Sequence, residues 1–242
     1  MLQWIGLAKE QIDKLSFESF SQRSALEIHS QPLSIAPISF ETVPLPENSR
    51  PLDPNRDTQC VDYLRGRGIS INDYDFYHVD NETRPRIIMP YYYNGKVVGN
   101  TSRFFDDRRP KYIAEQQKGY IFNIDSQHPS WQVCILVEGQ FDAISIGGCA
   151  YMGSNISSEQ AQLLKTLQRK IIVVPDQDSS GMKICDCAMD LGYQISIPNW
   201  SSDVKDVNDA VKKYGRLPTL MSILQNATSS KIIIEMKRKR FK

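Results

Sequence analysis

The sequence predicts an α/β fold: a parallel sheet of about four strands with flanking helices, preceded by a smaller, mixed and β-rich basic subdomain. Three observations lead to this prediction. After residue 131, short apolar runs alternate with helical segments, an order typical of parallel sheets covered by helices. Asn94-Gly95 lies between two apolar runs, which is the strongest short signal for a β-hairpin. Residues 31–57 hold six prolines, which favour an extended linker over a helix or a central strand.

Composition and charge limit the classes of function. The chain has 242 residues, enough for one large domain or two small ones. It has no apolar run long enough for a membrane span, and its start lacks a basic region followed by an apolar one, so we expect no membrane contact and no secretion. Lys and Arg number 29 against 28 Asp and Glu, for a net charge of +1, so the overall charge indicates nothing about nucleic acid. The five cysteines fit reduced thiols in a cytoplasmic protein.

Local patterns divide the chain into four parts. Residues 1–57 are expected to form an N-terminal appendage, with an amphipathic helix followed by the proline-rich linker. Residues 58–130 form the basic subdomain and residues 131–216 the parallel-sheet domain. Residues 217–242 combine a helix or edge strand with a basic tail.

The elements of the two middle parts follow in chain order. A helix over 60–65 is ended by Gly66 and Gly68, and Ser157 with Gln160 opens a later helix as a capping box. The predicted strands cover 87–89, 91–93, 97–98, 133–137, 150–152, 171–174, 195–197 and, at the C-terminal edge, 232–234; the later helices cover 141–146, 157–168, 181–191 and 207–214.

Carboxylates follow two of the predicted parallel strands. Glu138 ends the first strand, with Asp142 four residues on, and Asp176 and Asp178 follow the third. Ligands of open parallel sheets collect beyond the carboxyl ends of the strands, and side chains two apart in extended chain share one face. Carboxylates grouped in this way repel one another unless a divalent cation with oxygen ligands neutralises them. The pattern therefore indicates metal-assisted phosphoryl or nucleotidyl transfer, although an isolated Asp-x-Asp is more often a solvated turn.

Basic and aromatic residues are concentrated before this domain. Residues 84–118 include eight Lys or Arg residues but only three Asp or Glu residues, and six aromatic residues lie among them. Lys and Arg bind backbone phosphates and rings stack on bases, so the segment is suited to single-stranded nucleic acid. Several rings could equally face the core, and we expect at least one of Tyr91, Tyr92 and Tyr93 to do so. The eight cations are Arg84, Arg86, Lys96, Arg103, Arg108, Arg109, Lys111 and Lys118.

The strings VEGQFDAISI, VVPDQDSSGMK and KDVNDAVKKYG resemble, in order and spacing, the Toprim domain of bacterial replicative DNA primases and of the primase half of phage primase–helicases. The resemblance implies that Glu138 is the catalytic residue and that Glu138, Asp176, Asp178 and Asp206 hold Mg²⁺ or Mn²⁺. Two further positions, Asp142 and Asn208, match acidic or polar sites of that family.

The segment before the Toprim strings adds to the resemblance. Residues 63–69 resemble the entry to the primase core, and residues 94–99 resemble its hairpin. The basic positions with which that family holds nucleotide and template are matched here by Arg84, Arg86, Arg103, Lys111 and Lys118.

The resemblance implies a DNA primase core that makes short RNA primers on single-stranded DNA from ribonucleoside triphosphates. It also implies a replicative helicase or other replisome protein as partner and the cytoplasm of a bacterial or phage-infected cell as location. Residues 1–57 hold no cysteine and only His29, so we expect no zinc module. The alternatives are another Toprim enzyme, either a nuclease or a topoisomerase, and a catalytically degenerate module that binds nucleic acid or a replisome protein.

Overall fold

The computed structural model describes residues 38–80, 84–107 and 109–241, and Phe40 onward belongs to one compact unit. The predicted N-terminal helix and the start of the proline-rich linker lie outside the described residues. None of the helices in the described residues combines the length and apolar character that a membrane crossing requires. The helices are α1 Thr58–Gly66, α2 Gln140–Ile146, α3 Ser158–Lys165, α4 Ile184–Asp190, α5 Val207–Tyr214, α6 Arg216–Asn226 and α7 Lys231–Arg238.

The first sheet is antiparallel throughout, with its five strands in chain order. The predicted hairpin is confirmed: Asn94 and Gly95 both have positive φ values, of 50° and 71°, as a tight two-residue turn requires. Tyr91, on the first strand of this hairpin, is fully buried, as expected for one of the three tyrosines. The strands are β1 Ser49–Pro51, β2 Tyr77–Val79, β3 Arg86–Tyr93, β4 Lys96–Phe104 and β5 Tyr112–Glu115.

β1 shows that part of the proline-rich segment packs on this sheet. It is an edge strand, where a proline that cannot donate a hydrogen bond is tolerated, and Pro51 occupies its last position. Arg50 anchors it, because its guanidinium forms ion pairs of 2.6 Å with Asp57 and 2.9 Å with Asp80. Residues 49–57 therefore have contacts that a free linker lacks, and the domain boundary at residue 57 stays a prediction.

The second sheet is the predicted parallel sheet with one strand added. Its order is β10-β9-β8-β6-β7; four strands are parallel and β10 pairs antiparallel with β9. The continuous apolar runs predicted these strands because both faces of the sheet are covered. The strands are β6 Val133–Val137, β7 Cys149–Ala150, β8 Lys170–Val173, β9 Gln194–Ser196 and β10 Ala227–Thr228.

The C-terminal prediction was wrong in one part: residues 232–234 lie in helix α7 and not in an edge strand. Three successive isoleucines are typical of a strand, but only Ile234 of the three is buried. Tertiary contacts at the end of the helix favour the helical form, since Lys237 donates to the Ile197 carbonyl at 2.9 Å and Arg238 pairs with Asp186 at 2.7 Å. Cations in the last turn also interact favourably with the helix dipole.

The capping box of α3 is confirmed and has a second function. The Ser157 side chain accepts from the Gln160 N–H, and the Gln160 side chain accepts from the Ser157 N–H at 3.0 Å. The Gln160 amide also donates to the carbonyls of Tyr120 and Tyr151, at 2.9 and 2.7 Å. Gln160 therefore ties the helix start to two buried loops.

We expect Gln160→Ala to lower the free energy of unfolding by about 2–4 kcal/mol, because two buried carbonyls and a helix N-terminus lose their partner. Urea titration of the variant measures this loss. Gln162→Ala is the matched control, since Gln162 is exposed on the same helix and its loss should cost no more than about 0.5 kcal/mol. Equal effects of the two changes would contradict the role assigned to Gln160.

Candidate active site

A cavity of about 310 Å³ lies where the first sheet meets the carboxyl ends of the parallel strands. Glu138 and Asp176 follow strands of the second sheet and Asp142 lies on helix α2, whereas the first sheet contributes hydroxyl and aromatic side chains. The expectation that acids from separate strands share one place is met for these three. The lining residues are Tyr91, Thr101, Tyr112, Ala114, Gln116, Glu138, Gly139, Gln140, Asp142, Met152, Gly153 and Asp176.

Two glycines allow Asp142 and Asp176 to lie close to neighbouring backbone. A Cβ atom on Gly139 would lie 2.7 Å from Oδ2 of Asp142, and one on Gly181 would lie 2.4 Å from the carbonyl oxygen of Asp176. β6 ends at Val137 and Gly139 precedes α2, so Glu138 lies between strand and helix while Asp142 lies in the first helical turn. Glycine at these two positions is therefore part of the construction of the acidic wall.

The carboxylates shift one another's pKa upward. Burial, followed by the charges of Glu138 and Asp206, raises the pKa of Asp176 to about 7. Burial and the charge of Asp178 raise the pKa of Glu138. Burial, with Asp206 and Asp176 as further causes, raises the pKa of Asp142 well above its usual range. Such a cluster stores repulsion that a bound cation would relieve.

Asp178 differs from Asp176 in its surroundings. It is exposed and does not line the cavity, because the chain turns after β8 instead of continuing in the extended form that would align the two side chains. Its Oδ1 atom accepts from the N–H groups of Ser180 and Gly181, both at 2.8 Å. It remains near enough for its charge to raise the pKa of Glu138.

Asp206 and Asn208 line a neighbouring cavity of about 380 Å³. Asp206 caps α5 by accepting from the Asp209 N–H at 2.7 Å, and burial raises its pKa. Asn208 is buried; its backbone N–H donates to Asp142 at 2.8 Å. Its side-chain amide donates to the Arg67 carbonyl at 2.8 Å and to Ser145 at 2.7 Å. Asn208 therefore positions the Asp142 carboxylate and links α1 to α2.

The donor set fits a hard cation only in part. Among the described residues, no three His, Cys, Asp or Glu side chains converge as a metal site. Mg²⁺ needs fewer protein ligands, because it is commonly bound by one or two carboxylates with water and substrate phosphates in the remaining positions. The all-oxygen pair of Glu138 and Asp176 suits such a cation, and substrate would complete the site.

The five predicted basic residues lie in different surroundings. Arg103 on β4 lies with its guanidinium 4.4 Å from the Tyr112 ring centre. Arg86 on β3 donates to Ser102 at 3.0 Å. The other three have acidic or carbonyl partners: Arg84 pairs with Asp106 at 2.9 Å, Lys118 pairs with Glu159 at 2.5 Å, and Lys111 donates to the Asp106 carbonyl.

Sequence reasoning missed Arg67 as a member of this region. Arg67 and Arg103 each donate to the Tyr63 hydroxyl at 2.9 Å, and the Arg67 guanidinium lies 4.6 Å from the Phe141 ring centre. Arg67 also lines the cavity that holds Asp206. Its place in the resembling segment 63–69 was the available signal, but the arginine itself was not singled out.

This chain is similar to known proteins in sequence and in fold. Residues 135–211 match the Toprim-like family. The DNA primase of Clostridium acetobutylicum is 31% identical over 165 residues, which are 60% of this chain and 27% of that protein. The chain spans between 22% and 34% of the length of the curated primases that it matches.

Two solved structures show the fold. The DnaG primase catalytic domain bound to ssDNA has a TM-score of 0.61 at 18% identity, covering 76% of this chain and 76% of that one. The primase fragment of the bacteriophage T7 primase–helicase protein has a TM-score of 0.54 at 17% identity, covering 78% and 80%. Residues 135–211 thus form a Toprim-like domain, and the chain has the fold of a Toprim DNA primase core.

Proposed function

We propose that this chain is the catalytic core of a DNA primase, which joins ribonucleotides into short RNA primers on single-stranded DNA. The observation that carries the proposal is the cavity that Glu138, Asp142 and Asp176 share with Tyr112, because the Arg103 guanidinium of the first sheet lies 4.4 Å from the Tyr112 ring centre. Polymerisation of nucleotides needs both features, an acidic wall for a cation with triphosphate and a basic surface for the nucleic-acid backbone.

Glu138 and Asp176, with Asp178 and Asp206 beside them, are the residues that would hold the cation. Mg²⁺ or Mn²⁺ supplies charge stabilisation for the attacking and leaving oxygens when bound. Glu138 is also the general base in this proposal, because its carboxylate lies in the cavity beside Asp176, and a base must lie within hydrogen-bond reach of the proton that it accepts. Asp142 is held by the Asn208 N–H and positions the acidic wall.

The basic residues hold the substrate and template in this proposal. Arg103 with Tyr112 presents a cation beside a ring that is 42% exposed, a pair suited to one phosphate and one base. The other four basic residues would either exchange their present partners for phosphate oxygens or hold in place the residues that bind phosphate. These four are Arg84, Arg86, Lys111 and Lys118.

We propose single-stranded DNA, ribonucleoside triphosphates and a replicative helicase or another replisome protein as partners, in the cytoplasm of a bacterial or phage-infected cell. One neighbouring structure is bound to ssDNA, and another is a fragment of a primase–helicase protein. The absence of zinc stays a prediction.

A primer-synthesis assay tests the proposal. The chain is incubated with single-stranded DNA, labelled ribonucleotides and Mg²⁺ or Mn²⁺, and products are separated by length. Short RNA that depends on both template and cation supports a primase. Nicked DNA without RNA would instead support a Toprim nuclease, and DNA binding without either product would support a degenerate binding module.

Arg103→Ala should weaken binding to single-stranded DNA about threefold to tenfold at low salt, because one phosphate contact is lost. Fluorescence anisotropy over a series of salt concentrations measures this, and the slope of log K against log salt should fall by about 0.7. Lys170→Ala is the matched control, since Lys170 is an exposed cation at the start of β8, the end opposite the cavity. An equal loss in the control would mean that DNA binding is not localised to the first sheet.

A further inference from the structure

The cavity has a neutral polar wall opposite its acids. Tyr91 and Thr101, both fully buried, are joined by a hydrogen bond between their hydroxyl groups. Gln140 completes the wall: its Nε2 donates to Thr101 at 3.1 Å and to Tyr91 at 3.3 Å, and it contacts the Met152 sulfur at 3.1 Å. No charge lies in this group, so the proposed cation chemistry does not use it.

Gln140 keeps an unused hydrogen-bonding atom in the cavity. All three of its contacts use Nε2, and no described residue donates to its Oε1. Gln140 lines the cavity and is only partly buried, so this amide oxygen can meet a ligand. A hydroxyl group both donates and accepts, and it can therefore bond the amide in either of its two orientations.

The position of Gln140 selects which part of a nucleotide it meets. It follows Glu138 by two residues, so it lies beside the acids that would hold a triphosphate with its cation. The sugar is the group joined directly to the triphosphate, whereas the base extends farther away. A template-directed polymerase must also accept four bases, so a fixed polar contact in its cavity has to reach a part that all four nucleotides share.

We infer that Gln140 recognises the ribose of the incoming nucleotide through a hydrogen bond to its 2′-hydroxyl, with Thr101 and Tyr91 as positioning residues that orient the amide. Gln140 thereby favours ribonucleotides over deoxyribonucleotides. The inference rests on the proposed function, since it takes the ligand of this cavity to be a nucleoside triphosphate. A site that hydrogen-bonds a hydroxyl discriminates against an analogue without it, because its own polar group is then left unpaired.

Two variants, each with two ligands, test the inference. Calorimetric titration with ATP and with 2′-deoxyATP, in the presence of Mg²⁺ and a single-stranded DNA template, is performed on wild type, Gln140→Leu and Gln162→Leu. Gln162 is exposed on α3 and does not line the cavity, so it is the matched control. We expect Gln140→Leu to weaken ATP binding about tenfold, with 2′-deoxyATP changed less than about twofold. The control variant should keep the wild-type ratio of ATP affinity to 2′-deoxyATP affinity.

Three results would overturn the inference: equal affinity of wild type for the two ligands, equal weakening of both in Gln140→Leu, or loss of the affinity ratio between the two ligands in Gln162→Leu. Where leucine does not pack beside Met152, shown by loss of cooperative unfolding, Gln140→Met replaces it with a flexible side chain of similar length. Binding separates this inference from the proposed function. A ribose preference lost in Gln140→Leu supports ribose recognition even if wild type makes no RNA, whereas RNA synthesis with an unchanged ratio supports only the primase.

Discussion

Glu138→Gln should reduce primer synthesis at least about a thousandfold, which is the range for removing a general base together with a cation ligand. Glutamine keeps the size of the side chain but neither accepts the proton nor carries the charge. Glu138 lies beside Asp176 in the cavity, and burial has already raised its pKa. The amide should therefore remove the chemistry and leave the packing of the site in place.

Single-turnover assays with a preformed primer on template measure this loss without a contribution from initiation. The variant should fold as wild type does. Its dissociation constant for single-stranded DNA should stay within about twofold of the wild-type value, because the basic first sheet is unchanged. Glu47→Gln serves as the control, since Glu47 is exposed in the turn before β1. Synthesis by Glu138→Gln within tenfold of wild type would remove Glu138 from the proposed machinery.

Much of the architecture was predictable because local signals determined it. Asn94-Gly95 requires positive φ values and so specifies the hairpin. The apolar runs that became β6 and β8 are buried on both faces, which only a covered parallel strand explains at this length. In these elements local preference and tertiary context agree, so the sequence pattern was sufficient.

The predictions were incomplete where a partner distant in sequence or an unforeseen turn determines the position of a side chain. Asn208 matched an acidic or polar position of the family by resemblance, and its side chain is bound to Ser145 and the Arg67 carbonyl, which are far away in sequence. Asp178 was expected beside Asp176 from extended geometry, but the turn after β8 leaves it exposed. Local spacing does not specify the Asn208 contacts, because they depend on how α1, α2 and α5 meet. Asp178 instead accepts from the N–H groups of Ser180 and Gly181, in a turn that the assumption of extended chain did not include.

Asp176→Asn should make the protein more stable at neutral pH, an effect opposite to that of most buried substitutions. Burial and neighbouring acids raise the pKa of Asp176 from an unfolded value of 3.8 to about 7 in the folded chain. The folded state then binds more protons between these values, so wild-type stability falls as pH rises from about 4 to about 7. Asparagine has no charge to repel Glu138, so the variant lacks this loss.

The advantage of the variant should grow between about pH 5 and about pH 8 and reach roughly 1–3 kcal/mol, less than the shift alone implies because Asp176 is partly exposed to solvent. Urea unfolding at both pH values measures it.

Mg²⁺ should raise wild-type stability at the higher pH and the stability of Asp176→Asn much less, because binding to the folded state stabilises it by mass action. Asp190→Asn, on α4, should show neither effect. A variant less stable than wild type at the higher pH would mean that Asp176 holds the fold together. The opposite sign, together with loss of RNA synthesis, would mean that the acidic wall is kept for catalysis at a cost in stability.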